Sequence, residues 1–522
     1  MKAFYTEVIV MVCENESQPL ALSETYVRRR RGSSITGRRA IVVVDPLSSG
    51  ALLAQMARDR GYAVIRVLST TFSEDVLALL PAACKDLQFA ASIQHAGDVE
   101  ATLASIRSLG GGPHNGIFEI VGLTCGCESG VELADALSAR YGEGMKSNGE
   151  ALSHHRRDKF LMGERVRGAG LRAARQVETA EWEGIEAFAN ELGGSGKERG
   201  ESPGDKGDFQ MVLKPVRSAG TENVFFVSSL REARRAFKAI LGEANLFGER
   251  NDKVLAQEFL QGQEYVVDCV SKGGIHKCVA IWAYDKAPCN GSKFVYFGVN
   301  LFESGDGARE ERMTDYIFGV LDALGIREGP THSEVMWLEG EDQPCLIEVG
   351  ARPHGGEGTF TELSTPCLSY NQLSVTLDAI EDNGKFEALP RRPGRLKAHA
   401  REATLVSRQA GVLLAYPMLD EVRALRSYKS MEMKVVPGQD LPLTVDFLST
   451  PGSVMLVHAD WELVVRDYEQ IHAWEAEGSF YEVVEDVVEG DEEGREEEGG
   501  EKAKGGEMEA AKKEDKRASG AE

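Results

Sequence analysis

The stretch that decides the fold reads HSEVMW at positions 332–337 and, after a short turn-like segment, CLIEVGARPHGG at positions 345–356. Each half is an apolar run that carries one glutamate, so a hairpin would place Glu334 and Glu348 side by side, with Arg352 just beyond. Mg²⁺ accepts one or two protein carboxylates together with phosphate oxygens and water, and an arginine offers a planar fork for the remaining phosphate charge. The pattern therefore predicts a site for a divalent metal and a phosphate.

Two lysines upstream fit the same chemistry. Lys159 opens a helical stretch, and Lys214 ends the apolar run QMVL at positions 210–213. The residues after Lys214 predict a strand, a loop and a strand, because the small residues of VRSAGT at positions 216–221 cannot pack and strand formers flank them. Backbone N–H groups of such a loop can bind phosphates, although the chain has no Walker signature.

A third segment reads VLAQEFLQGQEYVVD at positions 254–268. An apolar run, a turn at Gly262 and an alternating run predict a hairpin. Its connecting segment could hold a planar base through main-chain groups, which leaves Glu264 for a pair of sugar hydroxyls.

Taken in this order, the segments resemble the ATP-grasp superfamily. Within it, the chain is most similar to the carboxylate–amine ligases that join amino acids, namely the bacilysin-type L-amino-acid ligases and the ATP-grasp part of carnosine synthase. The resemblance covers roughly residues 38 to 485. Many members of the superfamily carry an asparagine two residues after the second metal glutamate, where this chain has Gly350. The departure predicts that one metal is held more loosely or with more water.

The resemblance implies ATP and Mg²⁺, or Mn²⁺, as cofactors, and it assigns a role to each matched residue. Arg352 would be catalytic at the reacting phosphate, and the metal would lie on Glu334 and Glu348. The implied contacts to ATP come from the phosphate-side residues Lys159, Lys214, Ser218, Gly220 and Thr221, the adenine-side residues Gln257, Glu258, Phe259 and Leu260, and the ribose-side Glu264.

Four further residues are candidates for the substrate side, namely Lys286, His332, His354 and Gly355. For Lys286, exposed surface charge is an equal alternative. The two histidines could orient a substrate or a phosphate, and a supporting hydrogen bond is an equal alternative. Backbone amides near Gly355 could stabilise an oxyanion together with Arg352.

Three polar turns have structural explanations. Ser48 and Ser49 could hold a substrate carboxylate, but capping of the helix that follows is favoured. Ser129 with Glu132 fits a capping box at the start of the next helix. Cys125-Gly126-Cys127 is too closely spaced for a usual zinc pair and predicts a turn before that helix.

Composition limits the function classes. A chain of 522 residues requires several lobes, and its net charge of −24 argues against a nucleic-acid partner. Nine cysteines without repeated metal-ligand spacing predict reduced thiols and a cytoplasmic enzyme. No apolar run approaches the ~20 residues of a membrane span. Arginines near the N-terminus leave an organellar presequence as the alternative, which the acidic residues around them disfavour.

The predicted fold class is α/β with α+β lobes: an ATP-grasp fold with a Rossmann-like N-terminal domain, a small lid and a C-terminal α/β segment. The predicted parts are a variable or disordered arm (1–37), the Rossmann-like domain (38–150), the ATP-grasp domain (151–395, lid about 175–265), the C-terminal subdomain (396–486) and a disordered acidic tail (487–522).

The function implied by the resemblance is ATP-dependent formation of an amide or dipeptide bond through an acyl phosphate, with an amino acid among the substrates. Two alternatives stay open: another ATP-grasp enzyme, such as a carboxylase-type subunit, and a nucleotide-binding protein without turnover. The expected partners are ATP and small carboxylate and amine substrates, with neither nucleic acid nor membrane, and a homodimer is compatible with this. The sequence does not identify the two substrates, because pocket shape comes from side chains scattered over all lobes.

Overall fold

The computed structural model describes residues 38–72, 80, 81, 84, 86–110, 117–142, 144–193, 209–218, 222–245, 248–303 and 307–484. The predicted arm and acidic tail, and the loop residues Gly220 and Thr221, lie outside the described residues. Within those residues, no helix is both long and apolar enough to cross a membrane.

The N-terminal part is a parallel four-stranded sheet in the order β3-β2-β1-β4. The first strand reads RRAIVVV, and its last five residues are buried, as expected for a parallel strand covered on both faces. The predicted strand–helix–strand unit is confirmed. The elements are Arg38–Val44 (β1), Ser49–Asp59 (α1), Ala63–Leu68 (β2), Ala91–Gln94 (β3), Val99–Leu109 (α2), Phe118–Cys125 (β4) and Val131–Tyr141 (α3).

The direction of strand addition reverses between β1 and β4, which both pair in parallel with their neighbours. Open parallel sheets bind ligands at such a switch point, beyond the carboxyl ends of the strands. Here the turns after the two strands carry Ser48, Ser49 and Glu128. These three residues therefore lie at the edge where a ligand is expected.

The lid is a four-stranded antiparallel sheet in the order β5-β8-β6-β7, with its own apolar core against two helices. The second helix, LREARRAFKAI, begins at a Ser229 cap and buries Ala233, Ala236, Phe237 and Ile240 on one face. The elements, with the preceding helix, are Lys159–Gly168 (α4), Gln176–Thr179 (β5), Trp182–Leu192 (α5), Met211–Pro215 (β6), Phe225–Val227 (β7), Leu230–Ile240 (α6) and Val254–Glu258 (β8).

The body is an eight-stranded antiparallel sheet in the order β13-β12-β9-β10-β11-β14-β18-β16. Its strands are Gly262–Lys272 (β9), Ile275–Cys289 (β10), Ser292–Leu301 (β11), Gly329–Leu338 (β12), Gln343–Gly350 (β13), His399–Thr404 (β14), Tyr428–Met433 (β16) and Gly452–His458 (β18). Strands β14, β16 and β18 come from the predicted C-terminal segment, which therefore extends the central sheet. The largest apolar cluster runs from the N-terminal sheet into this one.

A small sheet and six helices complete the body. The sheet, in the order β17-β15-β19, consists of Gly411–Ala415 (β15), Asp440–Leu441 (β17) and Glu482–Val484 (β19). The helices are Ala308–Ala323 (α7), Thr359–Leu368 (α8), Gln372–Glu381 (α9), Lys385–Ala388 (α10), Leu419–Ala424 (α11) and Trp461–Ala476 (α12). The predicted helix after Asn371 is confirmed, and the Asn371 side chain caps it.

The hairpin predicted over positions 254–268 is wrong. Strand β8 pairs with β5 and β6 in the lid, whereas β9 pairs with β10 and β12 in the central sheet. The link at positions 259–261 therefore crosses between two sheets. An apolar run and an alternating run around a glycine indicate two strands, but they do not determine which strand each one pairs with.

Both capping predictions are also wrong. Helix α3 begins at Val131, no side chain caps it, and the Ser129 hydroxyl instead donates to Asp45 Oδ2 at 2.6 Å. Helix α1 likewise has no side-chain cap. The Ser49 hydroxyl donates to the Gly355 carbonyl at 3.0 Å, and Ser48 Oγ accepts from the Glu357 N–H at 3.3 Å. Both serines thus tie the N-terminal sheet to the glycine loop after β13.

Candidate active site

The two glutamates of the deciding stretch face each other across β12 and β13. Glu334 is the direct cross-strand partner of Glu348, so the predicted hairpin is confirmed. Like charges directly opposite each other on a sheet repel, so the pair requires compensating cations. A side-chain exposure of about one fifth for each leaves both carboxylates accessible from one side. The arrangement suits a hard divalent cation.

Two lysines from different elements approach this pair. Lys159 Nζ lies 3.0 Å from Glu348 Oε2 and donates to the Ser218 carbonyl at 2.7 Å. Lys214, on β6, is buried, and this burial lowers its pKa to about 8 although the nearby carboxylates of Glu348 and Glu334 oppose the shift. An arriving phosphate would favour the charged form of Lys214.

The lysines and glutamates line a cavity of about 180 Å³ between the lid and the central sheet, which we call the first cavity. It collects most of the residues predicted to contact the nucleotide. The predicted nucleotide residues that line it are Lys159, Lys214, Ser218, Gln257, Glu258, Phe259, Leu260 and Glu264. The predicted metal ligands Glu334 and Glu348 and the predicted substrate residue Lys286 line it as well. Gly220 and Thr221 are outside the described residues, so their predicted contacts stay predictions.

At the sheet end of the first cavity, Lys286 Nζ contacts Glu264 Oε1 at 2.7 Å and lies over the Tyr296 ring at 4.2 Å. Burial raises the pKa of Glu264, and Glu334 adds to this, while Lys286 opposes it. Lys286 was predicted to face the substrate. The structure places it beside the predicted ribose residue instead, in the first cavity.

In the adenine-side segment, residues 257–260, some groups already bond to other parts of the protein. The Glu258 carboxylate pairs with Arg172 at 2.8 Å and with Arg175 at 3.0 Å. The N–H groups of Glu258 and Phe259 donate to the carbonyls of Arg175 and Gln210. A base would therefore have to bind through other main-chain groups of this segment.

Arg352 is held in place by a residue that the sequence reasoning missed. Its Nε donates to Glu128 Oε2 at 3.0 Å, and Arg157 approaches the other Glu128 oxygen at 3.6 Å. Burial alone would raise the pKa of Glu128, but Arg352 and Arg157 outweigh it and hold the pKa below its usual range. The signal that could have identified Glu128 is its position just beyond the carboxyl end of a parallel strand.

The same ion pair explains the glycine at position 350. A Cβ added to Gly350 would lie 3.0 Å from Glu128 Oε2 and 3.1 Å from Arg352 Cζ. The pair therefore occupies the space that a longer side chain would need. The sequence reading of Gly350 as a mere loss of a metal contact is incomplete, because the position also makes room for the pair.

A buried cluster stands behind Glu334. His332 Nε2 lies 3.2 Å from Glu334 Oε1, and His354 Nδ1 lies 3.0 Å from Asp268 Oδ2, which also accepts from Trp282 Nε1 at 2.8 Å. Burial lowers the pKa of His354 to about 4. Burial alone would raise the pKa of Glu334, yet the His332 hydrogen bond and charge hold it below its usual range. Ligand atoms of Asp268, His332 and His354 lie within 4.8 Å of one another. Among the described residues, His332 Nδ1 and Asp268 Oδ1, which are 3.8 Å apart, are buried without a hydrogen-bond partner.

A larger cavity of about 580 Å³, the second cavity, lies on the other side of Glu334. Its near end is lined by Ser48, Ser49, Glu128, His332, Arg352, His354 and Gly355. Glu334 and Tyr296 line both cavities. The volume is within the range of small-molecule sites. Glu334, a predicted metal ligand, thus lies where the two cavities meet.

Comparisons with known proteins agree with this geometry. Residues 208–361 match the family model described as ATP-grasp domain. Dapdiamide A synthase of Enterobacter agglomerans is 29% identical over 456 residues, which are 86% of this chain and 98% of that protein.

Two solved structures share the fold. An L-amino acid ligase from Bacillus licheniformis matches with a TM-score of 0.59 and 16% identity, over 84% of this chain and 98% of that chain. Carboxyaminoimidazole ribonucleotide synthase from Aspergillus clavatus, complexed with ATP, matches with a TM-score of 0.58 and 14% identity. The match covers 84% of this chain and 99% of that chain. The likeness in fold therefore extends well beyond residues 208–361.

Proposed function

We propose that this chain, which carries an ATP-grasp domain and has the ATP-grasp fold, is an ATP-dependent ligase that joins a carboxylate to an amine through an acyl phosphate. The predicted resemblance and fold class are confirmed by the family match and the solved structures. One observation carries the proposal: the first and second cavities meet at Glu334, beside Glu348 and Arg352. ATP in one cavity would then face a carboxylate substrate in the other.

The residues present fit a divalent cation. Glu334 and Glu348 are paired across two strands, and both are accessible from the first cavity. We assign Mg²⁺ or Mn²⁺ to these two carboxylates, where it would neutralise phosphate oxygens during transfer. Gly350 supplies no side-chain ligand to this site.

The side chains of this chain would do the positioning. Lys159 and Lys214 approach from different elements and would bind phosphate oxygens on two sides. Arg352, fixed by Glu128, would contact the transferred phosphoryl group and then the oxyanion that forms when the amine attacks. The backbone N–H groups beside Gly355 line the second cavity and could share that charge.

Water must be kept away, because an exposed acyl phosphate hydrolyses. The lid carries Lys214 and Ser218 and borders the first cavity. We infer that nucleotide binding draws the lid onto the central sheet, since Lys159 already bridges Ser218 and Glu348.

The substrates are proposed to include an amino acid. Two relatives, named as dapdiamide A synthase and as L-amino acid ligase, support this choice. We also propose a reducing, cytoplasmic setting, because the eight cysteines among the described residues are all free thiols.

The test is ADP release by the full chain with Mg²⁺ and ATP against a panel of amino acids, alone and in pairs. We expect release that depends on amino acids and an amide product detected by mass spectrometry. Glu348→Gln is the inactive control. Release that requires bicarbonate instead would indicate a carboxylase-type enzyme, and tight ATP binding without release would indicate a nucleotide-binding protein.

A further inference from the structure

One wall of the second cavity is built largely by the C-terminal strands. Glu402 on β14 and Ser453 on β18 line this wall. Both are buried, and Glu402 is only 8% exposed. Glu357, Glu432 and Lys434 surround them. We call these five residues the far wall.

Glu402 is a buried carboxylate without a cationic partner. Ser453 lies beside it, with a hydroxyl placed to donate to Met455 Sδ at 3.7 Å, while the preceding Arg401 pairs with Asp285 at 2.8 Å. Across the described ranges, no basic side chain comes within ion-pair distance of Glu402. Lys434, the only basic residue of the far wall, contacts the Phe447 ring at 4.4 Å and donates to Thr450 Oγ1 at 3.4 Å.

The electrostatics of the far wall are unbalanced. Burial raises the pKa of Glu402 to about 7; Ser453 and Lys434 oppose the shift, and Glu357 and Glu432 add to it. The wall holds two more carboxyl groups than ammonium groups. Burying a carboxylate without a partner is costly, so a position like this one is expected where a ligand brings the missing charge.

We propose that Glu402 binds a non-reacting ammonium group of one of the two substrates. The inference rests on the proposed ligase function, because it is the second cavity, shared with Glu334 and Arg352, that makes the far wall part of the substrate site. An anionic group would face Glu357, Glu402 and Glu432 together, and a purely apolar one would leave Glu402 without a partner. A cationic group satisfies the far wall.

The ammonium group has two sources, the α-position or the side chain of an amino acid. Three ligands of equal chain length separate them: hexanoate, norleucine and lysine. Norleucine adds an α-ammonium to hexanoate, so the Kd ratio of these two ligands tests the α-position. Lysine adds a side-chain ammonium to norleucine, so the Kd ratio of that pair tests the side chain. Binding is measured by calorimetry on the full chain at pH 8 with Mg²⁺ and a saturating non-hydrolysable ATP analogue.

In the wild type, we expect one of the two pairs to differ in Kd by at least ~10-fold, with the ligand that carries the added ammonium binding more tightly. The free energy of a hydrogen bond to a charged group corresponds to about this ratio of Kd values. In Glu402→Gln the ratio should fall to about 1, while affinity for the ATP analogue stays unchanged. Glu402→Asp keeps the charge with a shorter reach and should retain part of the ratio. Glu421→Gln, an exposed carboxylate outside the cavity, is the matched control and should retain all of it.

The inference is overturned if neither pair differs in the wild type, if none of the three ligands binds, or if the ratio survives in Glu402→Gln. Failure of the ligase proposal is seen separately, since it is the absence of ADP release that depends on amino acids. A ligase that prefers neutral substrates would release ADP and show no ammonium effect.

Discussion

The two cavities on either side of Glu334 differ in how their carboxylates are balanced. Each of three carboxylates of the first cavity has a basic neighbour: Lys159 lies beside Glu348, Lys286 beside Glu264, and His332, from the second cavity, beside Glu334. At the far wall of the second cavity, Glu402 has no basic side chain within ion-pair distance among the described residues. A ligand such as Mg²⁺-ATP, which carries charges of both signs, suits the balanced cavity. The unbalanced one selects a ligand that supplies a single positive charge.

The largest effect is expected from removing a carboxylate of the first cavity. Glu348→Gln keeps the shape of the side chain but removes one anionic metal ligand and the partner of Lys159. We expect turnover to fall by at least ~10³-fold, with little recovery at high Mg²⁺, on the scale of losing a central charge-stabilising group. ADP release measured over a Mg²⁺ series checks this, with Glu339→Gln as the matched exposed control. Full recovery at high Mg²⁺ would restrict Glu348 to a minor role in binding the metal.

The second prediction concerns Arg352→Lys, which should lower kcat without weakening ATP binding. Arg352→Lys keeps the charge but loses the planar fork that reaches both Glu128 and the reacting groups. We expect kcat to fall by at least ~10²-fold with ATP affinity nearly unchanged. Separate measurement of ATP Kd and of kcat decides the matter. Loss of ATP affinity with kcat intact would place Arg352 in ground-state binding.

Gly350→Asn introduces the residue that many ATP-grasp enzymes carry. It tests whether Gly350 makes room for the Glu128–Arg352 pair or only lacks a metal ligand. Its Cβ would lie 3.0 Å from Glu128 Oε2, so the Glu128–Arg352 pair must shift. We expect kcat to fall by about 10-fold or more, with Mg²⁺ dependence unchanged, because Arg352 loses its position. Tighter Mg²⁺ dependence with kcat preserved would show instead that the glycine only loosens a metal.

Lys214→Ala should weaken ATP binding and slow turnover while leaving the fold intact. Lys214 is buried at the first cavity and approaches the same carboxylates as Lys159. Loss of one of two phosphate-binding ammonium groups is expected to raise the ATP Kd by about 10-fold. Lys238→Ala, on the far side of the lid, is the control. Unchanged affinity and rate in a folded variant would remove Lys214 from the site.

The smallest effect concerns stability at the far wall. The pKa of Glu402 is raised to about 7 in the folded protein, so folding takes up a proton between the ordinary carboxyl pKa and about pH 7. The free energy of unfolding therefore falls as pH rises through this window. Glu402→Gln removes the effect, so its Tm should equal that of the wild type near pH 4.5 and exceed it at pH 8, by the equivalent of about 1–3 kcal/mol. A constant difference in Tm across this range would contradict the raised pKa.

The sequence predicted elements better than it predicted their partners. The hairpin that pairs Glu334 with Glu348 was correct, whereas the same kind of pattern around Gly262 gave a hairpin that does not exist. In both cases periodicity and a glycine located two strands. Only the tertiary fold decides that β8 belongs to the lid and β9 to the central sheet.

The sequence predicted those site residues that cluster along the chain. It did not predict the contacts between residues from distant segments. Glu128 lies far from Arg352 in sequence, and although its position after a parallel strand suggests a site residue, nothing local pairs it with Arg352. Glu402, within the stretch HAREAT of β14, resembles an exposed strand charge in the sequence, but it is buried in the folded chain, where β14 pairs with β11 and β18. Burial of a charge is a property of the assembled fold, so single-sequence patterns do not report it.

The glycine at position 350 also links two positions in the history of this chain. Because a Cβ at position 350 would lie 3.0 Å from Glu128 Oε2, an asparagine there would require the Glu128 side chain to move. We therefore expect positions 128 and 350 to change together among relatives, so that this pair marks a branch of the superfamily.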